Sequence, residues 1–156
     1  MPQLTPTDRQ NIAWVNNAIY KFLSNDMELL RDGVKEEAVS HRLGCYLRDS
    51  FEGEDKPYVV DCEYNKYGEG QGKIADGKNI RPDIIIHKRN VQSHNLIAIE
   101  LKKRLSPSKW DKAKLKRLTS ISSRAKYKYS LGLFIGLNRD GTKIILCFKE
   151  GQEINL

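Results

Sequence analysis

The chain has 156 residues, an apolar fraction of 39% and a formal net charge of +7. That length bounds it to one domain, residues 1–156, with room for a hydrophobic core. No apolar run approaches the ~20 residues that span a bilayer, so no membrane association is expected, and the basic balance fits a polyanionic partner as well as a solvated surface.

In chain order, a first helix is expected from Thr7 or Asp8 to about Ser24, with Ile12, Val15, Ile19, Phe22 and Leu23 as its apolar stripe. It forms an additional N-terminal helix over 1–25. Asn25-Asp26 interrupts it, and a second helix runs from about Val34 to Phe51, with Val39, Leu43, Tyr46 and Leu47 on one face. Tyr58 to Tyr64 is the first strand. The glycine-rich run from Gly68 to Gly72 and the Asp76-Gly77 turn then lead to a strand from Asp83 to His87, so the pair forms a wide hairpin. The glycine run lacks the strand-before, helix-after context of a phosphate cradle and is taken as a hairpin loop. A third strand covers Asn95 to Lys102. Ser108 caps a helix from Lys109 to about Ser123, and Asp111 completes the capping-box pattern. Tyr129 to Leu137 is a buried strand, Asn138 to Gly141 a turn, and Lys143 to Lys149 the last strand. The order is αα-βββ-α-ββ.

Cys45, Cys62 and Cys147 are odd in number and widely spaced, which excludes a disulfide framework or a zinc knuckle. Cys45 and Cys62 fall inside expected elements and are taken as small buried apolar residues. With a polar N-terminus that carries no signal-peptide pattern, they point to a reducing, cytoplasmic setting.

Charge stands where buried strands should have none. Asp83 opens one strand, and Glu100 and Lys102 end the next. Strand side chains alternate, so Glu100 and Lys102 share a face with Leu96 and Ala98, while Ile97, Ile99 and Leu101 take the other. If the two strands pair, Asp83 and Glu100 meet at one edge of the sheet, and two converging carboxylates repel unless a proton or cation lies between them. Hard divalent ions take oxygen ligands, and a lysine beside them can orient water or neutralise developing charge. The competing reading of each residue is a surface ion pair, Glu100–Lys102 or Asp83–Arg81. On the second helix, a 100° step places Glu36 within the apolar arc and Glu37 on the solvent side beside His41 and Arg48. Only Glu36 then faces the sheet, unless it reaches outward from the rim.

Pro82-Asp83 followed by Glu100-Leu101-Lys102 resembles the PD-(D/E)XK nuclease motif. The strings Glu36 to Leu43, Val60 to Asn65 and Arg81 to His87 resemble a group of short, stand-alone, mostly prokaryotic proteins of that type. The resemblance covers roughly residues 34 to 137. It implies a restriction-endonuclease-like three-layer α/β core, a mixed central sheet flanked by helices. It also implies a Mg²⁺ (or Mn²⁺) site of Asp83, Glu100 and Glu36, with Lys102 as catalytic lysine. The expected activity is metal-dependent hydrolysis of nucleic-acid phosphodiester bonds, with DNA the leading substrate. The alternative is a non-catalytic nucleic-acid-binding or protein-interaction module on the same fold. A nucleotide-binding protein is disfavoured because no P-loop or dinucleotide fingerprint is present. A homodimer would suit cutting both strands of a duplex.

From Lys102 to Lys128 there are eleven Lys or Arg against one acid, Asp111. That excess is larger than the net charge of the whole chain and follows directly on Lys102. Such a cluster can track a phosphate backbone, and Lys103, Arg104, Lys109, Lys112, Lys116 and Arg117 are the candidate contacts. Trp110 could stack on a base, although a tryptophan at a helix entry more often packs. Asp61 and Glu63 share a strand face and are expected to form structural ion pairs, with Arg42 or Arg81 as candidate partners. His41, His87 and His94 lack zinc-site spacing; His41 is placed on the polar helix side and His94 in a loop.

Overall fold

The computed structural model describes residues 1–62, 74–75 and 78–156. The Gly68–Gly72 run, the Asp76-Gly77 turn and Glu63 lie outside the described residues.

Helix α1 spans Pro6–Asn25 and α2 spans Met27–Arg31. Thr5 starts α1 through a reciprocal cap: its hydroxyl accepts from the Asp8 N–H at 3.1 Å, and Asp8 accepts from the Thr5 N–H at 2.8 Å. Pro6 follows the cap, where its missing N–H costs nothing. Helix α3 spans Glu36–Phe51. Short strands β1 (Glu52–Gly53) and β2 (Lys56–Pro57) pair with each other, as do β4 (Ile74–Ala75) and β5 (Lys78–Asn79). Between these pairs lies β3 (Val59–Cys62). Next come β6 (Ile84–Lys88), β7 (Val91–Lys102), helix α4 (Lys109–Thr119), β8 (Leu131–Leu137), β9 (Lys143–Lys149) and β10 (Gln152–Ile154).

Six strands form one sheet in the order β10-β9-β8-β7-β6-β3. All neighbours are antiparallel except β7 and β8, which run parallel with α4 as their crossover. The molecule is therefore an α/β protein with a mixed sheet. Strand alternation divides the sheet's apolar residues between two layers. Ile84, Ile86, Ile97, Ile99, Leu101, Leu131 and Leu133 pack with Val15, Ile19, Phe22, Val39, Leu43 and Leu47 of α1 and α3. On the other face, Ile85 and Ala98 pack with Leu118 of α4, and Phe134 and Phe148 pack with Leu115. The additional N-terminal helix is thus part of the main core, and Trp14 meets Phe51 edge-on at 5.3 Å between ring centroids. Gly44 lets α3 approach β3: a Cβ there would stand 2.7 Å from the Cys62 sulfur.

The expected order of long elements holds, with the two hairpin strands paired as β3 and β6. Several details differ. Helix α4 ends at Thr119 and β8 begins at Leu131. Strand β7 begins at Val91, so His94 belongs to a strand and not to a loop. The short elements α2, β1, β2, β4, β5 and β10 were not anticipated. Cys45 and Cys62 are half-buried, whereas Cys147 is fully buried, because Cys62 sits on the edge strand.

Candidate functional site

Strands β6 and β7 pair with Ile84 opposite Ile99 and Ile85 opposite Ala98. This register carries Asp83, one residue ahead of β6, to the level of the last residues of β7. The Asp83 N–H donates to the Ile99 carbonyl at 3.0 Å. Its Oδ2 accepts from the Leu101 N–H at 2.7 Å. Glu100 faces the α4 layer with Ala98 and is only 2% exposed. Lys102, next on that face, places its ammonium 3.3 Å from Glu100 Oε1.

Helix α4 adds two residues that the sequence reading did not place here. Lys114 is 8% exposed, and its ammonium lies 2.7 Å from Glu100 Oε2 and 3.4 Å from the Arg81 carbonyl. Asp111, one helical turn earlier, lies 4.0 Å from the Lys102 ammonium and 2.9 Å from Arg104. Asp111 also closes the α4 capping box with Ser108, at 3.0 and 2.7 Å. The signal for both residues was available. Asp111, Lys114, Leu115 and Leu118 follow the i, i+3, i+4, i+7 spacing of one helix face, and all four are buried.

Glu36, at the start of α3, reaches the end of β7. Its Oε2 accepts from the Lys103 N–H at 2.8 Å, and its Oε1 lies 3.9 Å from Lys102. Glu37 is exposed. Glu36 and Glu100 thus both lie within ion-pair distance of the Lys102 ammonium. Among the described residues no three His, Cys, Asp or Glu side chains converge in an arrangement that could hold a metal. Gly136, opposite Lys102 in β8, gives the departing chain its room: a Cβ there would come within 2.4 Å of the Arg104 carbonyl.

The electrostatics follow from burial. Desolvation, and then the adjacent Glu100 charge, push the Asp83 carboxyl up to about 7. The Leu101 N–H, Lys114 and Lys102 pull it back only in part. For Lys102, burial works against the ammonium, but Glu100, Asp83, Glu36 and Asp111 outweigh it and hold the pKa above the ordinary lysine value. Glu100 Oε2 is buried and lacks a well-aligned hydrogen bond, although the Lys114 charge stands beside it. The Asp83–Glu100 pair offers oxygen donors only, one of them, Glu100 Oε2, buried and without a hydrogen bond. Lys114 competes for the same oxygen.

The six candidate phosphate contacts divide by environment. The Lys103 ammonium donates to the Val34 carbonyl, Arg104 pairs with Asp111, and Lys112 pairs with Glu153 at 2.9 Å. Lys109, Lys116 and Arg117 are exposed. Trp110 is half-buried in the first turn of α4. Asp61 is a structural ion-pair member, but its partners are His87, at 2.7 Å, and Arg89, whose Nε stands at 2.9 Å. Neither expected partner is used: Arg42 pairs with Asp26 at 3.1 Å, and Arg81 lies at the other end of β6. Burial opposes ionisation of Asp61, but Arg89 and His87 prevail and lower its pKa. His87 is buried, and His41 is exposed.

Comparison of the chain with protein-family models, with curated proteins and with solved structures finds no match. No helix among the described residues is long and apolar enough to cross a membrane.

Proposed function

We propose that the chain is a divalent-metal-dependent nuclease of restriction-endonuclease-like architecture, acting on DNA in the cytoplasm. The observation that carries this reading is the Asp83–Glu100 pair: a half-buried and a buried carboxylate at the ends of adjoining strands, with Lys102 3.3 Å from Glu100. Asp83 and Glu100 would hold Mg²⁺ or Mn²⁺ through oxygen. Such an ion, when bound, polarises a phosphate and lowers the pKa of a water. The chain's own contribution is to exclude solvent from the carboxylates and to keep Lys102 charged beside them. There the ammonium would orient a water or offset charge on a phosphate oxygen. Glu36 steadies the end of β7 through the Lys103 amide and adds negative charge near Lys102. A homodimer would let two such sites address both strands of a duplex.

One observation favours the non-catalytic reading, a nucleic-acid-binding or protein-interaction module. Both oxygens of Glu100 already have a lysine within ion-pair distance, Lys102 on one side and Lys114 on the other. The deciding experiment incubates labelled DNA and RNA panels with Mg²⁺ or Mn²⁺. Metal-dependent cleavage by the wild type, lost in Asp83→Ala, Glu100→Ala and Lys102→Ala variants that stay folded, supports the nuclease. A wild type that cuts nothing and shows no Mn²⁺ binding by calorimetry supports the module.

A further inference from the structure

We propose that the cavity beside the C-terminal end of α4 is a phosphate-binding pocket. It has a volume of about 390 Å³, and Arg117, Ser120, Ser122, Arg124, Lys126 and Tyr127 are among the described residues that line it. Among the described residues that line it are three basic side chains and the hydroxyls of Ser120 and Ser122, and none of those residues is acidic. Among the described residues no acidic side chain is paired with Arg124 or Lys126, in contrast to Arg104 and Lys112.

The loop that forms the wall is fixed at both ends. The Tyr129 N–H donates to the Leu118 carbonyl at 2.9 Å, and Asn95 Nδ2 donates to the Tyr127 carbonyl at 2.6 Å. Tyr127 is buried, and the Ala125 N–H closes a turn onto the Ser122 carbonyl at 2.9 Å. Ser120 and Ser122 meet only through contacts of 3.4 Å. Bonds of that length are weak, so both hydroxyls can turn to an incoming oxyanion. The α4 carbonyl end opposes an anion with about half a unit charge, against the full charges of Arg124 and Lys126. Guanidinium forks and hydroxyls together suit a tetrahedral phosphoryl group with several acceptor oxygens.

A phosphoryl oxyanion can come from a polynucleotide backbone or from free phosphate. For the backbone as source the proposal rests on the nucleic-acid reading above; for the chemistry it does not. Ser120 lies six residues along α4 from Lys114, about 9 Å at 1.5 Å per residue. Along the helix axis the pocket end of α4 thus stands about 9 Å from the residue that meets Glu100.

The test is a backbone-amide NMR titration of the metal-free chain, first with inorganic phosphate and then with a short DNA duplex. Amides of residues 120–127 are expected to shift with both probes, and Arg124→Gln/Lys126→Gln is expected to suppress the shifts. In salt titrations of duplex binding, that variant should flatten the slope of log K against log salt by about 1.8 for two lost contacts. The charge-matched control Lys21→Gln/Arg48→Gln, on the α1–α3 layer, should keep the wild-type slope. Shifts with phosphate alone support the pocket with free phosphate as its source. Silent amides with both probes, or equal flattening by the two variants, overturn it. The NMR titration needs no metal, so a chain that fails to cut in the Mg²⁺ or Mn²⁺ assay yet shows these shifts refutes the catalytic reading only, and an active nuclease with a silent pocket refutes this one only.

Discussion

Replacing Asp83 with Asn should stabilise the metal-free protein, and by an amount that grows with pH. The folded protein raises this carboxyl from 3.8 to about 7, so between those values the native state holds a proton that the unfolded chain has released. Stability must then fall as pH rises through that window. The sign is opposite to that of a salt-bridged aspartate. At 1.36 kcal/mol per pKa unit, the ionised side chain costs up to about 4 kcal/mol at pH 8. Asn keeps an oxygen to accept the Leu101 N–H and carries no charge toward Glu100. The stability difference between Asp83→Asn and wild type should be near zero at pH 4 and approach its full value by pH 8. Urea unfolding in EDTA at half-unit pH steps measures it. A difference that stays flat across the range, or a wild type more stable than the variant at pH 8, would refute the claim that desolvation and Glu100 burden this carboxyl. Mg²⁺ added to the wild type at pH 8 should recover part of the deficit, and Asp83→Asn should recover less.

Lys114→Met should destabilise the fold by about 3 kcal/mol, the lower end for a buried pair that loses one partner, because Lys102 still faces Glu100. Adding Glu100→Gln to it should restore most of the loss in the same urea assay; a double variant as weak as the single one would mean that Lys114 acts through packing. Glu36→Ala should slow cleavage by about tenfold, equivalent to ~1.4 kcal/mol of barrier, while Glu37→Ala leaves the rate unchanged; equal kinetics would remove Glu36 from the site. Gly136→Ala should cost about 1–3 kcal/mol in chemical denaturation, since the new Cβ meets the Arg104 backbone, which cannot swing aside as a side chain could. A neutral result would show that the chain after Lys102 is free to move.

The periodic signals carried the long elements. The apolar stripe of α1, the Ser108–Asp111 capping box and the alternation in β7 all mark structure that forms where the sequence places it. The same alternation brought Glu100 and Lys102 to one face, and the helical phase of α3 separated Glu36 from Glu37. Short elements left no such trace: five residues in α2 or three in β10 are too few to show a period. Tertiary partners were equally hidden. Asp61 meets His87 and Arg89 because β3 and β6 pair with Asp61 opposite Ile85, and no local pattern specifies that register. Lys114 was legible by phase but was lost in a run of cations, where charge suggests solvent more strongly than spacing suggests burial.

Asp111 ties folding and site geometry together. One carboxylate completes the first turn of α4, accepts from Arg104 and faces Lys102. Unwinding of that turn would therefore release the Lys102 neighbourhood in the same event, so the site cannot loosen independently of the helix. Hydrogen exchange at the Asp111 and Lys112 amides would then report the opening free energy of the site itself, and Asp111→Asn should accelerate both amides together with the mobility of the Lys102 side chain.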